Sequence, residues 1–168
     1  MPRSFDITAD YPQSVERVHR AFTDERYWRE RLADSGASQA ILDRMDTDPA
    51  IGVSVVTTQV IGSDLLPAVV TQFHRGDLRI TRRENWTPVI DGRAEATVSG
   101  EVQGAPVTLG GNATLVPHGD GSRLTLHTSV EVRIPLVGGK IENFIRGQLS
   151  DLLAAEQAFT TQWLANNP

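Results

Sequence analysis

At 168 residues the chain has the length of one domain able to bury a single sizeable core. Its 16 Lys and Arg against 21 Asp and Glu give a formal charge of −5, which argues against a nucleic-acid partner, since a phosphate backbone asks for a basic stripe. The complete absence of cysteine removes disulfides, thiolate metal ligands and cysteine nucleophiles together. Met1 to Asp10 alternates polar and apolar residues, unlike a signal peptide. No window approaches the roughly 18 apolar residues of a spanning helix. A cytoplasmic protein without an integral membrane segment is therefore expected.

From Ser4 to Tyr11 the residues alternate, with Phe5, Ile7, Ala9 and Tyr11 on one side, as in a half-buried strand. Pro12 ends it. Ser14 suits the N-cap of a short amphipathic helix carrying Val15, Val18 and Phe22, and Asp24 suits the cap of a second carrying Tyr27, Trp28 and Leu32. His19 falls on the apolar side of the first helix and reads as a half-buried histidine with one hydrogen bond. Between Ala33 and Ile51 the signals weaken, and a third helical turn is expected from Ala40 to Met45, ended by Asp46 to Pro49. Gly52 to Ile61, rich in Val and Thr, reads as a strand. In Gly62 to Gly76 the spacing of Leu65, Leu66, Val69, Val70 and Phe73 fits a short helix with Pro67 in its first turn.

Four strands follow, Leu78 to Thr87, Arg93 to Gln103, Val107 to Pro117 and Arg123 to Ile134, joined by short turns that make neighbours pair as antiparallel hairpins. The last element is a helix from about Gly139 to Ala165, roughly 40 Å long by the helical rise. Ile141, Ile145, Leu149, Leu152, Phe159 and Trp163 form one stripe along it, and that stripe needs a sheet face of similar length as its partner.

The order of strand, two helices, a run of strands and one long helix, together with Pro135-Leu136-Val137-Gly138-Gly139-Lys140-Ile141-Glu142 at the start of that helix, resembles the START and Bet v 1-like (SRPBCC) superfamily. The resemblance covers the whole chain. It implies an α+β helix-grip fold: a curved antiparallel sheet wrapped around a long C-terminal helix, two short helices after the first strand, and a cavity between sheet and last helix. Six strands are legible where the superfamily usually has seven, so the seventh is either Val69 to Phe73 or absent. Leu65-Leu66-Pro67-Ala68, Glu84-Asn85-Trp86 and the run from Glu156 to Leu164 look more narrowly like an uncharacterised bacterial branch, a domain of unknown function.

Strand parity nominates the inward faces. Leu124, Leu126, Val130, Val132 and Ile134 point in, which turns His127 and Glu131 out. The inward sets Ala94, Ala96, Val98, Gly100, Val102 and Leu109, Gly111, Ala113, Leu115 are small. Interiors pack to high density, so either Phe144, Phe159 and Trp163 fill the space or a ligand does. Polar residues also fall on faces that ought to be apolar: Arg82 and Glu84 share the face of Leu78, Ile80 and Trp86, and Gln148 and Glu156 lie within the helix stripe. A dehydrated ion without a partner costs several kcal/mol, so these residues should pair, reach the cavity mouth or meet a ligand. Glu84 and Trp86 are expected to face the space beneath the last helix, with at least one of Gln148 and Glu156.

Catalytic signatures are sparse. There is no nucleophile elbow, phosphate loop or dinucleotide fingerprint, and His19, His74, His118 and His127 are scattered singly, so neither a metal nor a cofactor is expected. The expected partner is a hydrophobic small molecule such as a lipid, polyketide or sterol-like compound. Trp86, Val98, Phe144, Ile145, Leu149 and Leu152 would supply an apolar wall, and Arg82, Glu84, Gln148 and Glu156 would orient a polar group. Two alternatives remain: a cyclase, aromatase or dehydratase using the same cavity, and a non-catalytic interaction module, with the chain a monomer or homodimer. A free interior volume below about 100 Å³, against the ~300 Å³ of ordinary ligand sites, would weigh against the first reading.

Overall fold

Alternation shapes the first element in the computed structural model, which describes residues 3–168. In β1 (Arg3–Tyr11) the side chains from Phe5 to Tyr11 turn alternately inward, and antiparallel pairing with β7 (Gly121–Val132) sets Ile7 opposite Leu126 and Ala9 opposite Leu124. Pro12 ends the strand. The Ser14 side chain accepts the Arg17 N–H to open α1 (Val15–Phe22), and Asp24 accepts the Arg26 N–H to open α2 (Glu25–Ala33), as the sequence predicts. His19 Nε2 lies 2.8 Å from the Thr87 carbonyl oxygen.

The weak stretch after α2 corrects the sequence reading. Gln39–Asp48 is a strand, β2, at the edge of the sheet beside β3 (Gly52–Ile61), not a helical turn. Its register shifts between Leu42, opposite Thr57, and Arg44, opposite Val56, so that Met45 stands opposite Val55. Asp43 is the inserted residue, and its carboxylate accepts the Thr58 hydroxyl at 2.5 Å. The bulge brings Leu42 and Met45, three residues apart, to the same face, which imitates helical spacing. β2 is thus the seventh strand, and Val69 lies instead in a short helix, α3 (Ala68–Thr71), preceded by a single helical turn at Ser63–Leu65. Pro67 is the N-cap of α3.

β4 (Leu78–Trp86), β5 (Ala94–Val102) and β6 (Val107–His118) complete an antiparallel sheet of order β1-β7-β6-β5-β4-β3-β2. Pairing lines up inward rows across it. One row runs Thr57, Arg82, Gly100, Leu109, Val130; the next runs Val55, Glu84, Val98, Gly111, Thr128; a third runs Val53, Trp86, Ala96, Ala113, Leu126.

The C-terminal helix α4 (Gly138–Asn166) lies on this inward face along β1 and β7. Its ends are tied to β1, β7 and the start of α1. Gln157 donates to the Asp10 carbonyl at 2.6 Å, Gln13 to Thr161 at 3.1 Å and Arg17 to Leu164 at 3.0 Å. At the other end the buried Glu142 accepts the Val132 N–H at 3.1 Å and faces Arg3. The small residues Ala94, Ala96 and Ala113 are covered by an aromatic cluster drawn from the helices. Phe22 packs on Trp86 with ring centroids 5.1 Å apart, and Tyr27 meets Trp28 and Trp163 edge-on and packs on Phe159. Two of the three residues expected as filler, Phe159 and Trp163, therefore join α1 and α2 in that task; Phe144 does not.

Candidate functional site

Three elements converge on one charged cluster. β4 turns Arg82 and Glu84 inward by strand parity, α4 presents Glu156 one helical turn before Thr160, and α2 presents Arg31 one turn after Tyr27. Glu156 is shared by two guanidinium groups. Its Oε2 lies 2.5 Å from Arg31 Nη2 and 2.9 Å from Arg82 Nη1, and its Oε1 accepts Arg82 Nη2 at 3.1 Å. Arg82 Nη2 also donates to Glu84 Oε1 at 2.6 Å. Side-chain exposure is 10% for Arg31, 13% for Glu156, 22% for Arg82 and 9% for Glu84, so the four charges lie largely out of water and cancel in pairs.

The network continues through neutral groups. Arg31 Nη1 donates to the Tyr27 hydroxyl at 3.2 Å, Tyr27 lies 2.6 Å from the Thr160 hydroxyl, and Thr160 donates to the Glu156 carbonyl at 2.7 Å. The Arg31 guanidinium also stacks on Trp28, 4.6 Å from the ring centre. Burial alone would raise the Glu156 pKa, but the positive charges of Arg31 and Arg82 outweigh it and bring the carboxyl down to about 2. The same attraction outweighs the burial that would lower Arg31 and Arg82, and both stay charged. Burial pushes the Tyr27 phenol up, so it remains a neutral donor.

Beside this network is a cavity of about 60 Å³ lined by Trp28, Arg31, Thr57, Gln59, Arg82 and Glu156 among others. It has room for a few water molecules, is well short of the ~300 Å³ of a small-molecule site and falls below the limit of about 100 Å³ given above, which weighs against a ligand enclosed beneath this part of α4. The C-terminal half of α4 and the two short helices have filled the rest of that end.

The other end differs. On the sheet Ile80, Gly100, Val102, Val107 and Leu109, and on α4 Ile145, Leu149 and Leu152, are only half-buried. α4 follows β1 and β7, so β4 and β5 have no long helix over this part of their inward face. Val69 of α3 reaches the same apolar cluster as Leu109, Ile145 and Leu149. The result is a half-exposed apolar strip, a shallow groove open to solvent and not an enclosed cavity. Arg82 stands at its inner end, between Thr57 on the cavity side and Gly100 on the groove side.

The residues nominated from sequence are distributed as follows. Arg82, Glu84 and Glu156 are joined in the ion network; Leu152 lines the cavity with Arg82 and Glu156; Ile145 and Leu149 border the groove. Trp86 and Val98 lie in the packed core, where Phe22 covers Trp86. Phe144 is half-buried outside both apolar clusters, and Gln148 is exposed on α4, so of the two polar stripe residues Glu156 is the one turned inward. Sequence reasoning missed Arg31, Tyr27 and Thr160. The available signal was Arg31 itself, one turn beyond Tyr27 and adjacent to Leu32 on the apolar side of α2. Among the described residues no His, Asp and Glu side chains gather as a metal site, and no helix is long and apolar enough to cross a membrane.

Comparisons with known proteins agree with this architecture. A family model described as a protein of unknown function (DUF2505) matches residues 6–164. An uncharacterised protein of Mycobacterium tuberculosis H37Rv is 48% identical over 173 residues, covering 99% of each chain. Among solved structures, the Zhui aromatase/cyclase of Streptomyces sp. R1128 superposes with a TM-score of 0.65 at 8% identity, covering 98% of this chain and 94% of the other. Ara h 8.0201 superposes with a TM-score of 0.58 at 10% identity, covering 96% and 99%. At such identities the likeness speaks to fold alone. On the family match and the relative's identity, carried by a seven-stranded curved sheet and one long terminal helix, the chain belongs to the DUF2505 family and has a helix-grip fold.

Proposed function

We propose that this protein binds a hydrophobic small molecule in the groove between the N-terminal half of α4 and strands β4 to β6, as a member of the START and Bet v 1-like superfamily. The observation that supports this most is the half-buried apolar lining itself. Ile80, Val102, Val107 and Leu109 on the sheet and Ile145 and Leu149 on α4 are all half-buried, and Val107, Leu109, Ile145 and Leu149 flank one apolar cluster around Val130, Val132 and Ile141 at the open end of the molecule. The cavity beside Arg31 is too small to hold a lipid-sized molecule. The ligand body therefore lies in the groove, and only its polar end reaches Arg82, whose guanidinium is the most exposed member of the ion network.

A cyclase-type reaction would need an acid or base with a pKa near the working pH. Glu156 is displaced downward and held by two arginines, which suits an anchor rather than a proton donor. Binding without turnover is the reading that geometry favours.

Native mass spectrometry of protein purified under non-denaturing conditions, with solvent extraction and uptake of a fluorescent fatty acid, tests the proposal. Gly100→Leu is the diagnostic variant. A Cβ at Gly100 meets nothing nearer than Leu109 at 3.5 Å, so the backbone tolerates a side chain there while the branch fills the groove. Wild-type protein should carry or take up an apolar ligand and Gly100→Leu should lose it. A bare mass together with no probe uptake by the wild type would overturn the proposal.

A further inference from the structure

Five large apolar side chains are broadly exposed among the described residues: Ile51, Leu65, Phe73, Ile90 and Leu136. Strand direction sorts them. Ile51 and Ile90 cap two separate hairpins at one end of the sheet, whereas Leu65 and Phe73 in the β3–β4 connection and Leu136 in the β7–α4 connection are at the other. That second end is the mouth of the groove. The β5–β6 turn is there too, with Gln103 N–H donating to the Arg79 carbonyl and Arg133 N–H to the Pro106 carbonyl.

Leu136 is the extreme case. It is fully exposed, and it sits at φ 71° with the Val137 N–H bonded to the Pro135 carbonyl at 2.9 Å. This is the strained form of γ-turn, which a residue with a side chain adopts at a cost. The strain holds an apolar side chain out in water, where it contributes nothing to folding.

Charge at this rim runs against the charge of the chain. Arg75, Arg79, Arg133 and Lys140 are exposed and make no ion pair among the described residues, although the chain as a whole carries −5. Asp64 and Asp77 are the acidic residues of the β3–β4 connection, and Asp77 is bonded to the Ser63 N–H. Glu101 and Glu131 lie one or two residues further from the rim, on the outer sheet face.

We propose that this rim docks on an anionic phospholipid bilayer, with Leu65, Phe73 and Leu136 entering the headgroup layer and the unpaired cations set against its negative charge. An apolar tip ringed by free cations matches the two attractions such a surface offers. The proposal rests on the groove reading above, because docking there presents the groove mouth to the source of an apolar ligand.

Co-sedimentation with phosphatidylcholine vesicles, with and without phosphatidylglycerol, is the test. Wild-type protein should bind the anionic vesicles, bind the neutral ones far less, and release at high salt. Phe73→Ser and Leu136→Ser should each weaken binding roughly ten-fold, since each removes one exposed apolar side chain that docking would bury in the headgroup layer. Arg133→Glu with Lys140→Glu should abolish the anionic preference. All four positions are exposed, so unchanged melting temperatures verify that the variants fold. No vesicle binding, equal binding to both vesicle types, or binding unmoved by these variants would overturn the proposal. So would sedimentation showing the rim paired between two copies of the chain. Groove-filled Gly100→Leu separates the two proposals. It should keep vesicle binding while losing the ligand, and wild-type protein that holds a ligand but ignores vesicles would sink docking alone.

Discussion

Glu156 holds two arginines that would otherwise be buried charges without a counter-ion. Replacing it with Gln leaves Arg31 and Arg82 facing only Glu84, and breaking a buried pair in this way costs about 3–5 kcal/mol. Urea unfolding of Glu156→Gln should show a loss of that size. The pH dependence follows from the same contact. In the unfolded chain the carboxyl takes up its proton near the ordinary 4.5, whereas in the folded protein it resists down to about 2. Its contribution is therefore complete above the unfolded value and is lost as pH falls from about 4.5 toward 2. Unfolding midpoints measured across that window should fall more steeply for the wild type than for Glu156→Gln. Replacing the four charges together with apolar residues of similar volume should be far less costly than the single change, because ion networks of this kind seldom out-stabilise good apolar packing. If that variant folds well but loses ligand, the network serves recognition and not stability.

Among the strands, β6 shows how a missing side chain shapes the sheet. An added Cβ at Gly111 would stand 1.9 Å from the His127 carbonyl oxygen, whereas at Gly100 its nearest neighbour is a flexible Leu109 methyl at 3.5 Å. The β7 backbone can come this close only because Gly111 has no side chain. Gly111→Ala should destabilise by at least the ~1–3 kcal/mol typical of overpacking, while Gly100→Ala should stay near wild type, as thermal melts of the two would show. Among the helices, Trp163 joins the aromatic cluster and donates its indole N–H to Glu30, tying α4 to α2. Trp163→Ala should cost about 3–5 kcal/mol, read by the same melts. Loss of near-ultraviolet circular dichroism would accompany it, because four rings pack around Tyr27.

The whole molecule has a closed end and an open one. α1, α2 and the second half of α4 pack the closed end around buried Phe22, Tyr27 and Trp28, while the open end leaves apolar side chains half-covered beneath α3 and the first half of α4. A molecule that binds the folded state alone raises its stability by mass action, by about 2.7 kcal/mol at a hundred-fold excess over Kd. For a domain of this size that corresponds to a melting temperature higher by roughly 5–10 °C. A panel of fatty acids and sterols screened by thermal shift should contain a compound that raises wild-type protein by that much and leaves Gly100→Leu unmoved.

Much of this architecture was legible without coordinates. Period-two alternation marked β1, Val and Thr content marked β3, runs bounded by short turns marked β4 to β7, cap residues Ser14 and Asp24 marked α1 and α2, and the stripe from Ile141 to Trp163 marked α4. Parity also placed Arg82, Glu84 and Trp86 on one face. β2 was not legible: it is an edge strand with little buried surface, and the bulge at Asp43 gives Leu42 and Met45 a helical spacing. Nor were the partners of Glu156. Which of Gln148 and Glu156 turns inward depends on how α4 is rotated against β1 and β7, and that rotation is set by contacts between distant segments, Gln157 to Asp10 and Gln13 to Thr161. Sequence alone thus determined the elements other than β2 and the apolar faces of the strands and helices it identified, since these arise from local pattern. The tertiary structure decided that the charges close on one another, that the inner cavity is small and that the apolar opening lies at the far end, because all three depend on where α4 comes to rest on the sheet.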